Sequence, residues 1–140
     1  MTKRILAVDP GDKRSGIAIS DPTGTIANPF SVIQHVSRKV DALEIVKLAT
    51  ENEVVRIIIG WALDSEGYPG PQARKAQRLA SVISEHTHIP VELWDESDST
   101  RMARSAQVKI SSKKKRRQKN TIDSLAATII LQSYLDVQKV

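Results

Sequence analysis

Asp9 ends the apolar run Ile5–Val8 and opens the stretch DPGDKRSGIAISD. Asp95 and Glu96 follow a second run, VELW, with Asp98 close behind. Asp64 lies shortly after Gly60, which ends a third run, VVRIIIG, and Asp123 falls near the start of the last apolar stretch. Carboxylates gathered on one rim repel each other. Hard divalent cations such as Mg²⁺ or Mn²⁺ relieve that repulsion because they prefer oxygen ligands. Paired cations can activate a water and stabilise the leaving oxygen of a phosphodiester, so no nucleophilic side chain is needed. That suits a chain with no Cys and no evident Ser-His-Asp set.

Each acid also has a plainer use. Asp9 could accept turn hydrogen bonds from amides near Gly11. Glu96 could be a rim charge or a helix-start residue. With Asn120 as cap, Asp123 would occupy the third position of an N-x-x-D capping arrangement. Ser20 and Asp21 read as turn capping beside Pro22. The acids as a set say more than any one of them.

The bases would meet a polyanion. Lys13 and Arg14 sit directly behind Asp9, where a phosphate backbone would need positive groups. Lys113, Lys114, Lys115, Arg116, Arg117 and Lys119 place six bases in seven positions. Such a run is either a solvated loop or a nucleic-acid contact. Trp94 reads as core and Trp61 as a residue able to line a cleft. Aromatic residues are 4% of the chain, which leaves little material for stacking on single strands.

The elements that must position these groups follow from periodicity and punctuation. Residues 5–8 and 15–20 read as strands joined by the DPGDKR turn, and 25–34 as a third strand with Pro29 at an edge or bulge. Ser37 caps a predicted helix over 38–52, with Val40, Leu43 and Val46 as its stripe and Ile45 and Leu48 broadening it. A strand over 54–60 and a loop over 61–71 come next. A helix over 71–86 follows, with Ala73, Ala76, Ala80 and Ile83 on one face, then a strand over 91–94. A short helix over 100–108, a charged loop over 111–119 and a final helix from Asn120 or Thr121 complete the chain. Strands on short turns followed by strands alternating with helices predict an α/β fold, partly antiparallel and partly parallel, with helices on both faces. Ligands in such sheets gather beyond the carboxyl ends of the strands.

The 140 residues suit one domain, and the net charge of +5 leans toward a polyanionic partner. The three His form no HExxH, which speaks against structural zinc. No run of eighteen apolar residues and no secretory leader is apparent, so a cytoplasmic protein without a membrane partner is expected.

Four stretches resemble one bacterial family, the Holliday junction resolvase-like and pre-16S rRNA nuclease family (YqgF/RuvX-like) of the ribonuclease H-like superfamily. They are DPGDKRSGIAISD (9–21), IIIGWALDSEGYPGPQA (57–73), PVELWDESDST (90–100) and IDSLAATIILQSYL (122–135). The resemblance implies a ribonuclease H-like five-stranded mixed sheet. It also implies Mg²⁺- or Mn²⁺-dependent cleavage of structured nucleic acid. It assigns catalysis and metal binding to Asp9, Glu96 and Asp123. The implied substrate is a ribosomal RNA precursor, with DNA junction resolution as the alternative; a homodimer stays open. Ser97 stands where the family usually has Arg, removing a bidentate phosphate clamp that Arg101 or Arg104 could replace. Trp61 stands where a small or aliphatic residue is expected. Two rival readings are a non-cutting nucleic-acid-binding or ribosome-assembly module, and a nucleotide-phosphate binder.

Overall fold

In a computed structural model, which describes residues 2–95 and 115–138, with side chains from Ser124 onward in the latter, the first three strands form an antiparallel meander. They are β1 (Ile5–Asp9), β2 (Arg14–Ser20) and β3 (Ala27–Gln34). Then come α1 (Arg38–Glu51), β4 (Arg56–Trp61), α2 (Pro71–Glu85), β5 (Val91–Asp95) and α3 (Lys115–Gln138). The sheet order is β3-β2-β1-β4-β5, with β4 and β5 parallel to β1. This is the mixed five-stranded sheet expected from the sequence. The proposed 100–108 helix lies outside the described residues.

Alternation along the strands sorts two cores. Leu6, Val8, Ile17, Ile19, Ile57 and Ile59 pack against α1 and α2. Ala7, Ala18 and Ile58 point the other way and pack against Ala127, Ile130, Leu131 and Tyr134 of α3. Burial on both faces explains why Ile57–Ile59 reads as an unbroken apolar run. Pro29 sits on the edge strand beside a register shift at Ile17/Ala18, where a missing N–H costs no ladder bond.

Ser37 caps α1 as expected, its hydroxyl accepting from the Val40 N–H at 3.1 Å. The buried face of α1 differs from the predicted stripe. Asp41, Ala42, Ile45 and Ala49 turn inward, while Val40 and Leu43 remain 47% and 43% exposed. Apolar residues occur all round this helix. The small Ala42 and Ala49 let its backbone approach the sheet, which decides the orientation. On α2 the expected face holds, with Leu79 buried and Pro71 in the first turn.

The final helix begins at Lys115, earlier than predicted. Lys, Arg and Gln are good helix formers and nothing before Ile122 breaks the helix, so the charged stretch joins it. The segment 115–119 is therefore helical rather than looped, and Lys113 and Lys114 lie outside the described residues. Asn120 is inside the helix, so it does not cap it. Asp123 falls in the third turn rather than the first.

Candidate active site

The parallel strands β1, β4 and β5 end at one edge of the sheet. Val8 pairs with Ile59, Gly60 with Trp94, and Trp61 with Asp95. Asp9 is therefore level with Gly60 and Trp94, and two strand spacings (about 10 Å) separate its backbone from β5. Asp9 is the last residue of β1, opposite Gly16 of β2, and is only 7% exposed. Strand alternation puts its side chain on the face that α3 covers, two residues beyond Ala7.

The direction of α3 brings a second acid toward this edge. Near its C-terminus, the Tyr134 hydroxyl meets Glu92 Oε2 at 3.2 Å, and Trp94 Nε1 donates to Ser133 Oγ at 2.9 Å. Tyr134 also lines a pocket with Ile5 and Arg56, at the starts of β1 and β4. The helix therefore runs antiparallel to β1, β4 and β5, and its N-terminal half lies toward their carboxyl ends. Asp123 stands one turn before Ala127, in the same direction that Asp9 lies beyond Ala7. Glu96 falls immediately beyond the end of β5 and outside the described residues. Among the described residues no group of three His, Asp or Glu side chains is gathered for a metal.

A cleft of ≈ 360 Å³ opens at this edge, lined by Asp9, the Pro10–Asp12 turn, Gly60, Trp61, Ala62 and Gln72. Trp61 thus lines the cleft, and Trp94 is the packed one, its ring edge-on to Tyr134 at 5.1 Å. Two features hold the turn behind Asp9. A side chain at Gly11 would overlap the Arg14 carbonyl oxygen, so only glycine lets the chain fold back so tightly. Asp12 accepts from Lys75 Nζ at 2.6 Å and from Gln72 Nε2 at 3.0 Å, tying the turn to α2. Those bonds, Lys75's first, hold the Asp12 carboxyl below its ordinary value. Lys13 is exposed, and its carbonyl accepts from the His35 N–H at 2.9 Å; Arg14 begins β2 and is half-buried.

Two of the other acids are local. Asp64 Oδ1 accepts from the Glu66 and Tyr68 N–H groups at 2.9 and 2.8 Å, closing the 61–71 loop. Asp21 caps its turn as expected, accepting from the Ile26 and Thr25 N–H groups and the Thr23 hydroxyl. The Ile26 N–H leads the causes that hold the Asp21 carboxyl far below the usual carboxylate range. The tie from Asp12 to Gln72 and Lys75 had no local signal, because sixty residues separate the partners.

Residues 3–137 match the family described as "RuvX: Holliday junction resolvase". The chain belongs to the RuvX family. One relative, named "Putative pre-16S rRNA nuclease", from Thermoanaerobacter pseudethanolicus, is 40% identical over 136 residues, covering 97% of this chain and 98% of the relative. A relative of the same name from Syntrophomonas wolfei is 40% identical, covering 95% of this chain and 94% of its own. Among solved structures, Thermus thermophilus RuvC bound to a Holliday junction superposes with a TM-score of 0.59 at 12% identity, covering 98% and 96% of the two chains. The fowlpox virus resolvase with junction DNA gives 0.60 at 13% identity, covering 96% and 98%. These two likenesses establish the ribonuclease H-like fold. The RuvX family is one of nucleases and resolvases acting on nucleic acid.

Proposed function

We propose that this RuvX-family chain is a metal-dependent phosphodiesterase that trims precursor 16S ribosomal RNA, with Asp9, Glu96 and Asp123 as its catalytic acids. The observation that carries this reading is Asp9 itself. It is a buried carboxylate on the last residue of the central parallel strand, facing the helix that carries Asp123. The donors are all carboxylate oxygens in a chain without thiols, which fits Mg²⁺ or Mn²⁺. Asp9, Glu96 and Asp123 would hold such a cation. Bound there, it supplies neutralisation of charge at the phosphate and a more acidic water.

The remaining work belongs to the chain. Asp9 fixes one end of the site on a strand held from both sides. The Gly11 turn, pinned through Asp12 to α2, sets where Lys13 and Arg14 present their charge to the substrate backbone. Lys113, Lys114, Lys115, Arg116, Arg117 and Lys119 would add further positive charge for the same backbone. Trp61 and Gln72 line the same cleft as Asp9.

The RNA reading rests on relatives 40% identical over nearly their whole length that carry the pre-16S rRNA name. A second reading, resolution of four-way DNA, is favoured by the family's description. Labelled precursor RNA and a four-way DNA junction, each incubated with the protein in Mg²⁺, Mn²⁺ or chelator, separate them. The proposal expects cation-dependent cutting of the RNA precursor. Preferential cutting of the junction would select the second reading. Tight binding without cutting under every cation would select a non-catalytic assembly module.

A further inference from the structure

A second pocket, of ≈ 250 Å³, lies on the other side of the Pro10–Asp12 turn, which it shares with the cleft as a common wall. It faces α1 and α2, not α3, and four of its lining side chains bear on what it holds: Ser15, His35, Arg38 and Lys75. Ser15 is 5% exposed and lies on the same face of β2 as Ile17, toward this pocket. Its side chain lines the pocket, so its hydroxyl is within reach of a ligand held there.

The acids of the pocket are already engaged. Asp41, 6% exposed, takes His35 Nδ1 at 2.5 Å and the Val36 N–H at 3.1 Å. Asp12 takes Lys75. The Asp41 bond orients the imidazole and leaves Nε2 as its remaining ring nitrogen, with 46% of the side chain exposed. Arg38, in the first turn of α1, forms no ion pair among the described residues. The pocket therefore combines a guanidinium without an ion pair among the described residues, an oriented imidazole and a hydroxyl on its lining.

We infer that this pocket is a phosphate-binding subsite, in which Arg38, His35 and Ser15 take a backbone phosphodiester of the nucleic-acid strand that enters the Asp9 cleft across the Pro10–Asp12 turn. The inference rests on the nucleic-acid reading above and adds to it where the strand goes after the cleft. The guanidinium supplies charge and paired donors, and the Ser15 hydroxyl donates from within. The Asp12–Lys75 bond holds the shared wall in place.

The test is binding, separate from cutting, with full-length protein in chelator. Fluorescence anisotropy follows a labelled RNA strand and a labelled DNA strand, the latter also as isomers each carrying one neutral methylphosphonate linkage. Arg38→Ala is expected to weaken binding about tenfold at low salt and to lower the slope of log affinity against log salt by about 0.7. One linkage should weaken the native protein when neutralised and leave Arg38→Ala unaffected. His35→Asn, whose amide can keep the bond to Asp41 while lacking the outer ring nitrogen, should be blind to that same linkage with an unchanged Tm. A purely structural role for the dyad would not produce that position-specific loss. Native affinity and slope in both variants, or equal linkage penalties in all three proteins, would overturn the subsite while leaving the nuclease reading intact. Native protein that binds neither strand would overturn both.

Discussion

The chain writes nearly the same phrase twice: Asp9-Pro10-Gly11 after β1, and Asp21-Pro22-Thr23-Gly24 after β2. The two aspartates end in opposite circumstances. Asp21 lies past the end of its strand, and its carboxylate is taken up by donors within the next five residues. Asp9 lies inside its strand, buried between β2 and β4 on the face that α3 covers. The first is a turn former whose chemistry is finished locally. The second is buried within the sheet and lines the cleft at its edge. A one-residue difference in where the strand stops decides whether the aspartate of an Asp-Pro turn is buried within the sheet or stands past its end.

Exchanging the carboxylates for amides should separate the two most. Asp9→Asn is expected to cut cleavage at least ~100-fold, more than the loss of a group merely supporting a metal ligand, while Asp21→Asn keeps native rates. Single-turnover cleavage assays on the preferred substrate check this. The two glycines come next. Alanine at Gly11 would overlap the Arg14 carbonyl, and at Gly24 (φ 71°) its Cβ would lie 2.9 Å from the Lys3 carbonyl oxygen. Each should cost about 1–2 kcal/mol in urea unfolding, but only Gly11→Ala should also slow cleavage, because only that turn borders the cleft that Asp9 lines. Equal cleavage in both variants would break the distinction.

Charge beside the first turn should matter for binding. Lys13→Ala is expected to weaken nucleic-acid binding about fivefold at low salt and to flatten its salt dependence by close to one contact. Thr23→Ala in the second turn should leave both unchanged. The smallest effect is a pH dependence. The folded-state pKa of Asp21 lies below the unfolded value of about 3.9, so its stabilisation is complete above that value and is lost as pH falls below it. Asp12 has the same sign. Denaturant midpoints between pH 6 and 2 should therefore fall less steeply for Asp21→Asn than for the native protein.

Much of this was readable before any coordinates. The Ile57–Ile59 run, the Pro29 edge, the Ser37 cap and the order of strands and helices follow from local rules of burial, capping and turn chemistry, and the structure keeps them. The inward face of α1 was not readable. Apolar residues surround that helix, and which side turns in depends on the fit of Ala42 and Ala49 against the sheet. The start of α3 was missed because a run of like charges resembles a solvated loop, although its residues favour helix. The position of Asp9 was legible as a strand end, but its burial was not. The pocket on the far side of the turn joins Ser15, His35, Arg38 and Lys75 from four elements or their connections, and no local pattern announces it.

The central claim is that Asp9 and Asp123, far apart in sequence, share one cation. Mn²⁺ titration followed by electron paramagnetic resonance, on the native protein, Asp9→Asn, Asp123→Asn and the double variant, tests it most directly. The account predicts that each single change weakens Mn²⁺ binding at least tenfold and that the double change adds little more, since the site is already broken. Native Mn²⁺ affinity in either single variant, or two independent losses that simply multiply, would contradict it.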